Sequence, residues 1–252
     1  MKETQALIER VRRINETHQQ LYVTVDSSLT GIKPGQSLLA RVGELWNPYL
    51  REQWYPVDQQ KNTLIIERPV GIHYEPGTIV SLIGAVGDPF RFRRTLRTVL
   101  LVAYNAEPTP LLMTIPALLA NRVNVTLLLL GANYDAQHLP PEVEVIQGEV
   151  GEGAPSAKLN WSNRVTTVGW ADQVFITVPQ DDEMSYFREI WTLFAELRAD
   201  IPSNYLFGVF RPLLPCGVGA CSCCEVKLRG GTALMCTSGP AIDLTKLPLS
   251  KE

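Results

Sequence analysis

Cysteine is missing from the first 215 residues of this 252-residue chain, and histidine occurs only three times. No apolar stretch approaches the roughly 20 residues that a membrane-crossing helix needs. The longest, "VTLLLLGA" at 125–132, reads as a buried strand. The opening "MKETQALIERVRR" has neither the apolar centre nor the small-residue cleavage site of a secretory leader. Positive charge is not in excess either: the net charge is −3, which excludes a general affinity for nucleic acid. Internal repeats and low-complexity tracts are absent. The expectation is a cytoplasmic protein with no membrane span and no nucleic-acid partner. In that compartment thiols stay reduced, so cysteines serve as metal ligands or redox groups rather than structural disulfides.

All five cysteines fall in one stretch, "PCGVGACSCCEVKLRGGTALMC" at 215–236. An odd number leaves one unpaired under any disulfide scheme. Cys216, Cys221, Cys224 and Cys236 form C-x4-C-x2-C-x11-C. Structural zinc sites usually present two short knuckles, and here only Cys221 and Cys224 form one. C-x4-C-x2-C instead opens the plant-type [2Fe–2S] loop, with its fourth cysteine further on. Zinc and free thiols remain the alternatives. Gly217, Val218, Gly219, Ala220 and Ser222 are small or compact, which suits a loop that wraps tightly and aims N–H groups at sulfur. "EVKL" and "TALM" flank "RGG", a hairpin that returns the chain to Cys236. No C-x-H pair occurs, which excludes a Rieske-type centre. His18, His73 and His138 are scattered and read as surface or packing residues. Cys223 is the leftover thiol beside the loop.

The run "CGVGACSCC", followed by Cys236, Gly239 and Pro240, resembles the C-terminal [2Fe–2S] domain in the electron-transfer subunit of heteromeric dihydroorotate dehydrogenase. That family reads Cys-Gly-x-Gly-x-Cys-x-x-Cys and carries Gly-Pro after its last cysteine. The resemblance implies an α/β plus β, ferredoxin-reductase-like chain. Its parts would be an N-terminal antiparallel β-barrel for FAD, a βαβ nucleotide-binding-like domain, and a small C-terminal [2Fe–2S] domain. It also implies a redox protein partner, a flavin-containing dehydrogenase catalytic subunit.

The upstream residues follow this plan in outline and depart from it at the nucleotide sites. Residues 3–20 read as a helix with Leu7, Val11 and Ile14 on one face. From 21 to 97 short β-rich runs alternate with turn signals such as "KPGQ", "NP" and "EPGT", which suggests the barrel. The family's Arg-x-(Tyr/Phe)-(Ser/Thr) flavin motif appears as Gln53, Trp54, Tyr55 and Pro56, so only Tyr55 is kept. Arg51 lies two residues earlier, one strand repeat of ~6–7 Å away. FAD therefore has one candidate contact, Tyr55. Residues 98–207 read strand, loop, helix, strand, the start of a parallel α/β domain. The family's Gly-Gly-Gly-x-Gly-x-x-Pro turn is represented by Ala103, Tyr104, Asn105, Glu107 and Pro110. Its Cys-Gly-Pro is represented by Thr177, Val178 and Pro179. A tyrosine and a carboxylate in place of glycine oppose a dinucleotide phosphate, so NAD is not expected. Arg91, Arg93, Arg94 and Arg97 read as a connector between domains, and residues 208–252 as the cluster domain.

Two functions fit this pattern. One is an electron-transfer component, rather than a stand-alone NAD(P)H reductase, whose partner docks over the loop Gly217–Ser222. The other is a non-enzymatic partner-binding module on a reductase-like scaffold that has lost nucleotide binding.

Overall fold

The computed structural model describes residues 2–42 and 49–249. The turn expected at Asn47–Pro48 lies outside them.

The chain opens as a β-hairpin, not a helix. β1 (Lys2–Arg13) pairs antiparallel with β2 (His18–Thr24). Asn15 closes the turn, its Oδ1 accepting the Thr17 and His18 N–H groups at 2.9 and 2.6 Å. Ala6 and Ile8 are buried while Leu7, between them, is 40% exposed: the period is two. A bulge between Ile8 and Arg10 shifts the phase, so the next inward residue is Val11. That three-residue step imitates a helical repeat.

β3 (Ser37–Val42), β4 (Glu52–Trp54), β5 (Pro56–Gln60), β6 (Thr63–Pro69) and β7 (Ile79–Val86) complete a curled antiparallel sheet. Its order is β4-β3-β7-β1-β2-β6-β5. β1 is therefore a central strand of the barrel half, which begins at residue 2 and not at 21. Its interior is filled by Ile8, Leu21, Leu38, Trp54, Leu64 and Leu82, each at most 1% exposed.

The second half is an α/β sheet. β8 (Thr98–Tyr104), β9 (Asn124–Leu130), β10 (Val143–Val150), β12 (Gln173–Thr177) and β13 (Leu206–Val209) run parallel. The short β11 (Leu159–Asn160) adds antiparallel to β10. β8 and β9 are near-continuous apolar runs because both faces are covered. α1 (Thr109–Leu112) and α2 (Thr114–Ala120) lie on one side, within the core around Phe175. α3 (Pro155–Lys158), α4 (Arg164–Trp170) and α5 (Glu183–Leu197) follow, and α5 buries Phe187, Ile190, Leu193 and Phe194 against the other face.

The cysteine segment is tied into this second half. β14 (Glu225–Leu228) and β15 (Gly231–Leu234) form the expected hairpin, followed by α6 (Met235–Ser238). β16 (Ala241–Asp243) then joins the α/β sheet as an edge strand antiparallel to β13. The expected boundary at 207/208 falls inside β13, and Cys224, Met235, Cys236 and Ile242 share the core that α5 covers. The arginine run lies between β7 and β8, where Arg91 pairs with Asp88 at 3.0 Å and Arg93 donates to the Ser203 carbonyl at 3.0 Å.

Candidate functional site

The hairpin register sets Glu225 opposite Leu234, so the residues just outside it, Cys224 and the α6 turn, are brought together. The Met235 N–H donates to the Cys224 carbonyl at 3.0 Å. The Cys224 and Cys236 sulfurs stand 3.2 Å apart, both buried. Cys216 and Cys221 form a second couple through a shared thiol hydrogen bond, and Cys236 feels the charge on Cys216. All five thiols are free. Among the described residues, no three His, Cys, Asp or Glu side chains are arranged as they stand to hold a metal ion.

The loop between the couples turns its N–H groups inward. Gly217 and Gly219 have φ of 67° and 77°, and Ser222 takes 57°. In that left-handed region successive N–H groups converge on one point. The Gly219 N–H reaches Cys236 Sγ at 3.1 Å, and the Val218 N–H reaches Cys216 Sγ at 3.5 Å. The Val218 N–H, then the Cys221 thiol and N–H, lower the Cys216 pKa to about 6. Burial, then the neighbouring Cys224, pushes Cys236 up to about 11. Cys223 points elsewhere and donates to the Cys221 carbonyl at 3.6 Å. The rim carries Val218, 52% exposed, with Leu213 at 62% nearby in sequence.

The flavin-motif residues lie at the junction of barrel and α/β sheet. Tyr55 is 8% exposed and its hydroxyl has no hydrogen-bond partner. Burial raises its pKa well above the ordinary phenol value. Gln53 donates to Ser37 Oγ at 2.8 Å. Arg51 is committed away from this junction, to the Ser81 carbonyl at 2.8 Å and to Glu3 at 2.6 Å. Tyr55 lines a cleft of about 190 Å³ together with Glu107, Thr109, Gln180 and Arg211.

The first turn of the α/β half is closed by the chain's own bonds. Asn105, at φ 47°, donates its N–H to the Leu130 carbonyl at 2.7 Å. Thr177 Oγ1 donates to the Glu107 carbonyl at 3.3 Å. Glu107 meets His18 of the barrel at 3.3 Å. The His18 hydrogen bond lowers the Glu107 pKa; burial opposes charge on His18, but Glu107 outweighs it and raises the His18 pKa. Tyr104 does not block the phosphate approach, contrary to expectation. Its ring is fully buried under the sheet, edge-on to Tyr186, with its hydroxyl donating to Glu189 at 2.5 Å.

Arg211, Thr109, Gln180 and Glu183 were not singled out from the sequence. The only signal was indirect: Arg211 sits where the apolar "LFGVF" strand gives way to "PLLP".

No protein-family model matches the chain, and no curated protein matches it. Solved structures do. One, reported for flavin-based electron bifurcation, is the NADH-dependent reduced ferredoxin–NADP oxidoreductase. It matches with a TM-score of 0.71 at 18% identity, over 96% of this chain and 89% of that one. This is the ferredoxin-reductase-like fold. The ferredoxin reductase in carbazole 1,9a-dioxygenase matches at TM-score 0.57 and 13% identity, over 82% of this chain and 68% of that one. The flavohaem-like FAD/NAD-binding domain of nitric oxide dioxygenase from Vibrio cholerae O1 biovar El Tor matches at 0.59 and 14%, over 81% and 98%. At these identities the likeness is one of fold. No helix among the described residues is long and apolar enough to cross a membrane.

Proposed function

We propose that this chain is an electron-transfer component in which Cys216, Cys221, Cys224 and Cys236 hold a [2Fe–2S] cluster. The observation that carries the reading is the inward-turned loop, with Gly219 and Val218 N–H groups on the sulfurs of Cys236 and Cys216. N–H donors on sulfur favour the thiolate, the form that binds iron. When bound, such a cluster supplies a one-electron acceptor and donor. The protein's part is to bury the Cys224–Cys236 side and leave the Cys216–Cys221 side near the surface. The uncharged rim around Val218 lets a redox partner approach closely without extensive burial. By resemblance that partner is a flavin-containing dehydrogenase subunit, and the solved structures of this fold include ferredoxin reductases.

FAD fits this chain at one end only. The flavin motif keeps Tyr55, but the motif's own arginine, which would fork onto the diphosphate, is not kept. Gln53 is neutral and bonded to Ser37, and Arg51 is held by Glu3 and Ser81. The same commitments favour the second reading, a partner-binding module without a nucleotide entry point for electrons.

Iron, acid-labile sulfide and the visible spectrum of anaerobically purified protein distinguish the two. Two iron and two sulfide per chain are expected, with the spectrum lost in serine variants of the four cysteines and kept in Cys223→Ser. Stoichiometric zinc without sulfide would sink the cluster reading.

A further inference from the structure

Three buried polar atoms around the barrel–sheet cleft make no hydrogen bond of ordinary geometry: the Tyr55 hydroxyl, which has the Gln53 amide nearby, Thr109 Oγ1 and Arg211 Nε. Tyr55 and Thr109 are each 8% exposed, so water reaches them poorly. Leaving such a group unpaired is unfavourable, and native proteins rarely leave three together. All three are able to donate: two hydroxyls and a guanidinium N–H.

Charge points the same way. Glu107 in this cleft is paired with His18 at 3.3 Å. Arg68 is paired with Glu52 at 2.7 Å, and Glu67 accepts from Tyr134 at 2.6 Å with His138 at 3.4 Å. Arg211 is different. Its guanidinium donates to the Val178 carbonyl, its N–H donates to Glu183 at 2.6 Å, and its carbonyl accepts from Gln180 at 2.7 Å. These bonds fix its position; among the described residues its guanidinium makes no ion pair within 4 Å, and the Glu183 and Glu107 carboxylates feel its charge only from further off.

Size sets the ligand. A cleft of about 190 Å³ is smaller than the ~300 Å³ at which pockets for drug-sized ligands begin. We infer that this cleft binds a compact oxyanion, a small carboxylate or phosphate, with its oxygens on Tyr55, Thr109 and Arg211. The site is distinct from the cysteine loop, none of whose residues line it.

The test titrates whole protein with inorganic phosphate, acetate and FAD separately, at ionic strength held constant with chloride. Binding is read by calorimetry and by thermal midpoint. Saturable binding of phosphate or acetate is expected, and which one binds identifies the anion. Tyr55→Phe and Thr109→Val should each weaken binding about tenfold or more, and Arg211→Gln further, with the cluster spectrum unchanged. Tyr55→Phe keeps the ring, so it tests the site even if the arginine variant fails to fold. The inference is overturned if neither anion binds saturably, if Tyr55→Phe and Thr109→Val bind as the parent does, or if FAD binds tightly at one per chain.

Discussion

Glu183 opens α5, and burial pushes its carboxyl up to about 7, against relief from the Arg211 N–H and guanidinium. Its place in the first turn of a helix favours the charge, but desolvation wins. A carboxyl whose pKa is raised on folding holds its proton longer in the folded state than in the unfolded chain. Its cost is therefore absent below the ordinary value near 4.5 and grows as pH rises toward about 7. Glu183→Gln keeps an oxygen for the Arg211 N–H and removes the charge. The variant should gain about 1–3 kcal/mol over the parent at pH 8 and nearly nothing at pH 4.5, read from urea midpoints across that range. An equal gain at both ends would mean that the carboxyl ionises normally. At this scale the grouping of the cysteines was legible, because it is local in sequence; their role as cluster ligands stays a proposal. Arg211 and Glu183 were not: Glu183 depends on its burial and on Arg211, and Arg211 shares its cleft with Tyr55 and Thr109, more than 100 residues away in each case.

The first hairpin shows what an element's pattern conceals. Leu7, Val11 and Ile14 satisfy a helical stripe, yet Leu7 faces out and Ile8, its neighbour, is fully buried. The bulge after Ile8 breaks the alternation that would otherwise have marked a strand, and charged residues occupy the outward positions. Pairing with both β7 and β2 decides the outcome, and neither partner is visible locally. By contrast β8, β9 and the β14–β15 turn were readable, since uninterrupted apolar runs and a double glycine carry their own signal. The two readings of the N-terminus predict opposite mutants. Ile8→Ala should cost about 2–4 kcal/mol, whereas Leu7→Ala should stay within about 1 kcal/mol. Chemical denaturation of the two variants measures both, and the reverse ranking would restore the helix.

Across the whole molecule the reductase plan is kept where it concerns packing and altered where it concerns nucleotides. The parallel sheet, the barrel half and the cover of α5 depend on hydrophobic pattern, which survives substitution by any apolar residue of similar size. A phosphate site depends on bare backbone at one turn. Here Asn105 and Thr177 spend their donors on Leu130 and Glu107, and Glu107 adds a carboxylate bridged to the barrel. α1 is four residues long and has no side-chain cap. A dinucleotide would have to break these bonds and displace the His18–Glu107 pair before gaining any contact. On the proposed cluster, millimolar NADH should therefore leave the spectrum of the oxidised protein unchanged under anaerobic conditions, while dithionite bleaches it. Tyr104 takes no part in this, because its ring lies under the sheet, so Tyr104→Phe should behave as the parent in the same assay. Bleaching by NADH alone, with no second protein present, would show that the turn opens to admit a nucleotide and that electrons enter this chain directly.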